Sequence, residues 1–253
     1  MQSDRSGSWP WGSGPHGSGS GGDGDDVAEG DRRVVALVGR EEVYPPPTVD
    51  GTARLFDACV RCSEEASVAL YSRGSPARLA AATEELVGLF DAWSLLAPTR
   101  DVLDLGCGIG RVARAIAPRV HEVHAIDVSS GMVDAARRRC VDAPNVSVVL
   151  GSGRDLTPWP DARFDLVLAI DSMPYVVAVG EALLRAYMRE SARVLRPPGE
   201  LVVLNWSYRD DLERDRREAR ALAEEHGFQL LVSGAHPLKL WDGVAFRLRR
   251  IAS

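Results

Sequence analysis

The chain of 253 residues has little cysteine, a single lysine and no long apolar run. Its four cysteines include one C-x-x-C pair, Cys59 and Cys62, and neither a second pair nor a histidine cluster follows it. This pattern indicates reduced thiols rather than a disulfide framework or a metal site. No run approaches the roughly 18–20 apolar residues that a membrane span needs. The N-terminus also lacks the apolar segment of a signal peptide. We therefore expect a cytoplasmic protein without a structural metal.

A basic surface is also missing. The formal net charge is −6 and the isoelectric point is about 5.5, whereas proteins that bind nucleic acids usually carry a basic face. Of the 30 basic residues all but Lys239 are arginine, a bias that indicates a GC-rich, bacterial genome. The composition thus argues against a nucleic-acid partner and leaves a globular protein with a single main domain.

The composition divides the chain into three parts. Half of the first 30 residues are Gly or Ser, so we predict a disordered tail over 1–33. Residues 34–97 are predicted to hold an extended segment near 34–38 and then a cap of two helices. Ser75 and Pro76 are suited to begin the second helix. Residues 98–253 are predicted to form the main domain.

Short apolar runs alternate with helical stretches in this main domain. Five runs are continuous rather than alternating, as in strands buried on both faces, and helices are predicted between them near 110–117, 130–140 and 179–195. The pattern predicts an α/β fold with a doubly wound, mostly parallel sheet of seven strands. The last two strands, near 228–232 and 244–248, have no helix between them and should be antiparallel. The five runs are 102–105, 123–126, 146–150, 164–170 and 201–204.

A glycine-rich turn follows the first predicted strand. Asp104 ends the strand, and Gly106, Gly108 and Gly110 precede a helix. These glycines permit a tight turn and a close approach of a ligand to the backbone. A dinucleotide site requires glycine where Arg111 stands, and Asp104 would repel a pyrophosphate. The turn therefore favours a cofactor that has an amino group and no phosphate.

A second acid ends the next predicted strand. Asp127 is placed to accept hydrogen bonds from both hydroxyls of a ribose. The alternative is that Asp127 caps the helix that begins near Ser129, although Ser129 and Ser130 are better placed for that role.

Together these segments resemble class I S-adenosylmethionine-dependent methyltransferases. Residues 104–110 resemble the first motif of the family, 125–129 the second, 150–156 the third, 164–170 the fourth strand and 192–203 the segment leading into the fifth. The family usually has an Asp that bonds the adenine amino group where this chain has Ser152, so Ser152 or Asp155 is expected to make that contact. The resemblance implies S-adenosylmethionine as cofactor. The residues expected to bind it are Asp104, Gly106, Gly108, Gly110, Asp127, Val128, Met132, Ser152, Gly153 and Ile170.

Acceptor residues are expected after the fourth and fifth strands. Asp171 is a candidate base or a partner of the cofactor amine. The side chains of Tyr175, Trp206 and Tyr208 either wall the acceptor or pack under the N-terminal helices. His236 is a second candidate base, so the catalytic candidates are Asp171, Tyr175 and His236.

Three functions are compatible with the pattern. The first is methyl transfer to a small molecule, a metabolite or natural product, with the accepting atom left open. The second is a fold relative that binds the cofactor without methyl transfer, such as a cyclase or binding protein. The third is a protein or nucleic-acid methyltransferase, since residues 172–175 resemble the S/N/D-P-P-Y/F signature but lack its first proline. The acidic charge disfavours this third function.

Overall fold

A computed structural model describes residues 33–34, 47–68 and 75–251 of the chain. The tail predicted over 1–33 lies outside the described residues apart from Arg33. The extended segment predicted near 34–38 also lies outside them, apart from Val34, which is buried.

A seven-stranded sheet forms the centre of the molecule, in the order β3-β2-β1-β4-β5-β7-β6. The first five strands are parallel and β7 is antiparallel to both neighbours, which confirms the predicted fold class. The strand order reverses between β1 and β4, where doubly wound sheets bind their ligands. The strands are β1 Asp101–Leu105, β2 Glu122–Asp127, β3 Val146–Leu150, β4 Phe164–Ile170, β5 Leu195–Leu204, β6 Phe228–Ala235 and β7 Ala245–Arg250.

Helices cover the sheet, and several begin where the sequence predicts. Ser75 accepts a hydrogen bond from the Arg78 N–H, Pro76 opens the helix, and Ser129 accepts one from the Met132 N–H. The helices are α1 Val49–Cys62, α2 Glu64–Val68, α3 Pro76–Ala92, α4 Arg111–Ile116, α5 Ser130–Arg139, α6 Met173–Val179, α7 Glu181–Val194 and α8 Leu212–Glu225, and a 3-10 turn spans Ala117–Arg119.

Two features of the helices differ from the prediction. The helix predicted over 179–195 is present as α7, but the sequence did not predict α6, which Gly180 with φ +137° separates from α7. The cap was predicted to contain two helices, yet α3 packs on one face of the sheet, where Leu86 and Phe90 are fully buried in the same cluster as Val102. The short α1 and α2 therefore form the part of the cap that the structure describes, and the predicted domain boundary near 97 stays a prediction.

No helix joins β3 to β4. Instead, Leu156 and Trp159 of the connecting loop bury their side chains against the sheet. Arg193 on α7 donates to both of their carbonyl oxygens, at 3.0 and 2.9 Å. These bonds satisfy loop carbonyls that a helix would otherwise have paired. None of the described helices combines the length and the apolar composition that crossing a bilayer requires.

Candidate functional site

A cavity opens at the carboxyl ends of β1, β2 and β4, beneath α1 and α2. The space it encloses, counting its open mouth, is about 1060 Å³. Nine of the residues predicted from the sequence line it, namely Gly106, Gly108, Asp127, Val128, Met132, Gly153, Ile170, Asp171 and Tyr175. The other four, Asp104, Gly110, Ser152 and His236, are not among its described lining residues.

The glycine turn forms one wall of the cavity. Gly106 has φ +76°, and a Cβ there would stand 2.4 Å from the Cβ of Ser172. Gly108 has φ +52°, and its Cβ would stand 2.7 Å from Val68 on α2. The backbone thus needs glycine for its conformation and for space, and the N–H groups of Gly106 and Gly108 are hydrogen-bonded to the Ile126 carbonyl and the Asp127 carboxylate.

The Asp127 carboxylate is held by the backbone around it. Its Oδ2 accepts from the Gly108 N–H and its Oδ1 from the Ser129 N–H, both at 2.9 Å. Burial raises the pKa of Asp127, and these N–H donors oppose that rise. Each oxygen keeps a second lone pair, so a carboxylate fixed in this way can still accept hydroxyl protons from the cavity.

Asp57 on α1 fastens the cap to the rim of the cavity. Its Oδ1 accepts from the Ser129 hydroxyl at 2.6 Å and from the Gly131 N–H at 2.9 Å. The carboxylate therefore lies at the N-terminus of α5, where the helix dipole favours negative charge. Glu64 on α2 adds an ion pair with Arg138 at 2.8 Å.

Asp104 lies behind the glycine turn rather than in the cavity. It is 1% exposed, and its Oδ2 has no hydrogen-bond partner among the residues that the structure describes. Burial raises its pKa to about 7, while the nearby Arg111 guanidinium lowers it. Direct contact between Asp104 and a ligand amine, as the sequence predicts, is not what this geometry shows.

At the end of the cavity near β3, the lining residue is Asp155 rather than Ser152. Ser152 is exposed and its Oγ accepts from the Arg154 N–H at 3.1 Å. Asp155 accepts from the Thr157 hydroxyl at 2.7 Å, and the pKa of Asp155 is lowered mainly by that bond. Of the two alternatives for the adenine contact, the geometry favours Asp155.

At the end near β4 the cavity is walled by aromatic rings. Tyr175 on α6 packs edge-to-face against Phe56 of α1, with ring centroids 4.9 Å apart. Asp171 accepts from the Asn205 amide at 2.9 Å and from the Tyr208 hydroxyl. Burial raises the pKa of Asp171, and these two donors lower it.

Trp206 and His236 lie elsewhere. Trp206 is fully buried against Phe246 and donates to Glu218 at 2.8 Å, so its ring belongs to the core. His236 lies in the exposed β6–β7 loop and pairs with Asp242 at 3.1 Å. The loop follows a strand at the far edge of the sheet, so the structure does not bring His236 to Asp171 and Tyr175.

The charged side chains in the described cavity wall are all acidic. Three carboxylates, Asp127, Asp155 and Asp171, line it, whereas no Arg, Lys or His is found among the described lining residues. Such a wall suits a cation and disfavours phosphate groups.

Comparison with known proteins assigns the domain that contains this cavity. Residues 102–199 match the model of a methyltransferase domain family. This match covers 98 of the 253 residues, from β1 into β5. The acidic wall and the glycine turn fit the cationic, phosphate-free S-adenosylmethionine that the sequence resemblance implies.

Similar proteins include a demethylmenaquinone methyltransferase of Tropheryma whipplei, 36% identical over 108 residues. That alignment covers 43% of this chain and 42% of the relative, so the chain spans less than half the length of this curated relative.

Solved structures share the fold. A SAM-dependent methyltransferase from Aquifex aeolicus has a TM-score of 0.50 at 20% identity, covering 69% of this chain and 92% of that one. The [4+2]-cyclase SpnF has a TM-score of 0.53 at 18% identity, covering 67% and 81%. These likenesses describe the architecture of the methyltransferase domain alone.

Sequence reasoning missed several residues of the site. Asp57, Phe56 and Tyr187 all contribute to the cavity or its rim. Asp57 lies 74 residues before its partner Gly131, and no local motif indicates such a pairing. The helical periodicity of α1 was visible, but not which part of its surface would meet the cavity.

Proposed function

We propose that the protein is an S-adenosylmethionine-dependent methyltransferase that acts on a small, largely apolar molecule. The observation that carries this proposal is the described cavity wall, which has three carboxylates and no basic side chain. Burying carboxylates is costly unless a partner offsets the cost, and a sulfonium with an ammonium group is such a partner.

The cofactor end of the cavity has residues suited to each part of the cofactor. Asp127 is placed to take the ribose hydroxyls, and Asp155 to accept from the adenine amino group beside Met132. Gly106 and Gly108 line the space left for the remaining, amino-acid part. When bound, the cofactor supplies a methyl group activated by the positive sulfur. The protein itself orients the two reactants and excludes water.

The acceptor end indicates an apolar ring or chain. Phe56, Tyr175, Val176, Val179 and Leu183 line the cavity, and apolar side chains with a few polar groups are typical of small-molecule sites. A relative is named for demethylmenaquinone, also a small molecule. We propose a cytoplasmic enzyme without a nucleic-acid partner, in agreement with its charge of −6.

Titration calorimetry with S-adenosylmethionine and S-adenosylhomocysteine tests the cofactor site. We expect micromolar binding, and at least a tenfold loss for Asp127→Asn because the amide replaces an acceptor oxygen by a donor. The matched control is Asp134→Asn, an exposed α5 residue that pairs only with Arg137 at 3.6 Å. Absence of binding by the wild type would refute the proposal.

Transfer of a labelled methyl group into a bacterial extract tests the reaction. Labelled small molecules support methyl transfer to a metabolite, and labelled protein or RNA would contradict the acceptor class. Binding without any transfer would instead favour a cofactor-binding relative such as a cyclase.

A further inference from the structure

A hydrogen-bond network of polar side chains extends from the end of β5 into the acceptor end of the cavity. The Asn205 amide and the Tyr208 hydroxyl both donate to Oδ1 of Asp171. A further side-chain hydrogen bond joins Tyr208 to Tyr175, whose ring faces that of Tyr208 edge-on at 6.1 Å. Asp171 and Tyr175 line the cavity, so the hydrogen-bond network ends where an acceptor would lie.

Backbone hydrogen bonds fix the orientation of the Asn205 amide in this hydrogen-bond network. The Val244 N–H donates to Oδ1 of Asn205 at 2.9 Å, and the Asn205 N–H donates to the Val244 carbonyl at 2.8 Å. An amide held by its oxygen must turn its NH2 group the other way. Asn205 can therefore only donate to Asp171.

Both residues of this pair also have an unusual backbone. Asp171 has φ +60° and Asn205 has φ +62°, in the left-handed region that costs non-glycine residues free energy. Such conformations concentrate at functional sites. Here they turn two side chains toward each other at the ends of adjacent parallel strands.

The second oxygen of Asp171 is left for a ligand. Among the described residues no donor reaches Oδ2, while Oδ1 takes two hydrogen bonds. Two titratable or charged groups act on Asp171 directly, the Arg111 guanidinium on α4 and the Tyr208 hydroxyl. Tyr175 follows Tyr208 in the hydrogen-bond network. Asp104 also lies near Arg111, so the positive charge of Arg111 lowers the pKa of both carboxyl groups.

We propose that Asp171 is the base that takes a proton from a hydroxyl-bearing acceptor, and that Asn205 and Tyr208 are positioning residues that aim its Oδ2 into the cavity. This inference rests on the proposed methyltransferase function and narrows the acceptor to an apolar ring with an ionisable O–H, a phenol or quinol. A neutral phenol is a weak nucleophile, and removing its proton activates the ring oxygen or the carbon beside it.

The step balances without a further reagent. The acceptor O–H bond breaks and its proton passes to Oδ2 of Asp171. The acceptor's electron pair forms the new bond to the methyl carbon, while the sulfur keeps the pair of the broken sulfur–carbon bond. At an oxygen the product is a methyl ether, and Asp171 releases its proton to water. At a ring carbon the hydrogen of that carbon leaves to water as a proton, and the ring oxygen takes back the proton held by Asp171, so the aromatic hydroxyl is restored and one proton is released in total.

A panel of naphthalene probes tests the acceptor class on the full chain. We expect labelled methyl transfer to 1,4-naphthoquinol and 1-naphthol. We expect none to 1,4-dimethoxynaphthalene, which has the same ring and no O–H. If the protein binds S-adenosylhomocysteine by calorimetry yet methylates none of the hydroxyl probes, this inference is wrong while the cofactor site stands. Methylation of the dimethoxy compound would also overturn it.

The pH profile of kcat/KM tests the positioning residues. Tyr208→Phe and Asn205→Asp each remove a donor to the carboxylate, so the pKa of Asp171 rises and the acid limb moves up by about one pH unit. Asp171→Asn should lower kcat about 100-fold or more with little change in KM for the cofactor. Arg114→Gln weakens the pairing with an exposed carboxylate, Asp142, away from the cavity and should leave the limb in place.

The pKa of Asp104 is raised to about 7, so Asp104→Asn decides whether the acid limb reports Asp104 or Asp171. An acid limb that persists in Asp104→Asn and moves in Tyr208→Phe supports the inference. A limb that vanishes in Asp104→Asn, or a Tyr208→Phe profile identical to the wild type, overturns the roles of Asn205 and Tyr208. Circular dichroism of each variant separates these results from misfolding.

Discussion

The two ends of the cavity are built in different ways. The cofactor end is made by short segments that follow neighbouring strands, since the glycine turn after β1 donates a backbone N–H to the Asp127 carboxylate at the end of β2. The acceptor end is made by side chains from α1, α6 and the loops after β4 and β5. A site of contiguous backbone can be recognised in a sequence, whereas a site assembled from distant side chains becomes visible only after folding.

Gly106→Ala should damage the cofactor end most. A Cβ at φ +76° is strained and would stand 2.4 Å from the Cβ of Ser172, so we expect a loss of about 2–4 kcal/mol in the free energy of unfolding and no measurable cofactor binding. Urea unfolding and calorimetry measure the two effects. Gly88→Ala is the matched control, because a Cβ there meets nothing within 4 Å and alanine favours the helix by up to about 1 kcal/mol. Equal behaviour of the two variants would contradict the role of the turn.

Comparing Trp206→Ala with Tyr175→Ala distinguishes a core residue from a residue of the acceptor wall. Trp206 is fully buried and packs on Phe246, so its loss should lower the free energy of unfolding by about 3–5 kcal/mol. Tyr175→Ala should cost less stability, because Tyr175 lines the cavity, and should reduce acceptor turnover more. Chemical denaturation and the methyl-transfer assay compare them, and a reversed order of stabilities would place Trp206 in the wall instead.

These contrasts explain how far the sequence could predict the molecule. The positions of the strands and the helix caps at Ser75 and Ser129 follow from local patterns, and the structure has them. The apolar run of β3 predicted a strand buried on both faces, but β3 lies at the edge of the sheet and is only partly buried. The packing of α3 on the sheet did not follow, because an apolar helix face indicates burial without naming its partner. His236 was a reasonable base by residue type, but the loop that carries it lies at the far edge of the sheet.

Asp104 should make stability depend on pH. Its pKa is raised from 3.8 to about 7 in the folded protein, so between these values the folded state keeps a proton that the unfolded state has lost. The free energy of unfolding therefore falls as pH rises through this window. Asp104→Asn should remove that part of the fall, which urea unfolding at about pH 5 and pH 8 measures. Asp142→Asn is the control, since its exposed pairing with Arg114 lowers the pKa of Asp142 and gives a small dependence of opposite sign at lower pH. A wild type and an Asp104→Asn variant with parallel curves would show that Asp104 is ionised in the folded state.

Asp57→Ala should have the smallest effect on stability and an indirect effect on the cofactor end. Its carboxylate joins α1 to the N-terminus of α5 through the Ser129 hydroxyl and the Gly131 N–H. Losing it should cost about 1–2 kcal/mol and weaken cofactor binding several-fold, because the cap that carries Val49 and Phe56 is held less firmly over the cavity. Hydrogen exchange of the α1 amides and calorimetry measure these changes. Asp57→Asn keeps the acceptor oxygen without the charge and should fall between alanine and the wild type. If α1 exchanges no faster in Asp57→Ala while the affinity still drops, the carboxylate acts on the cofactor end through its charge rather than by holding the cap.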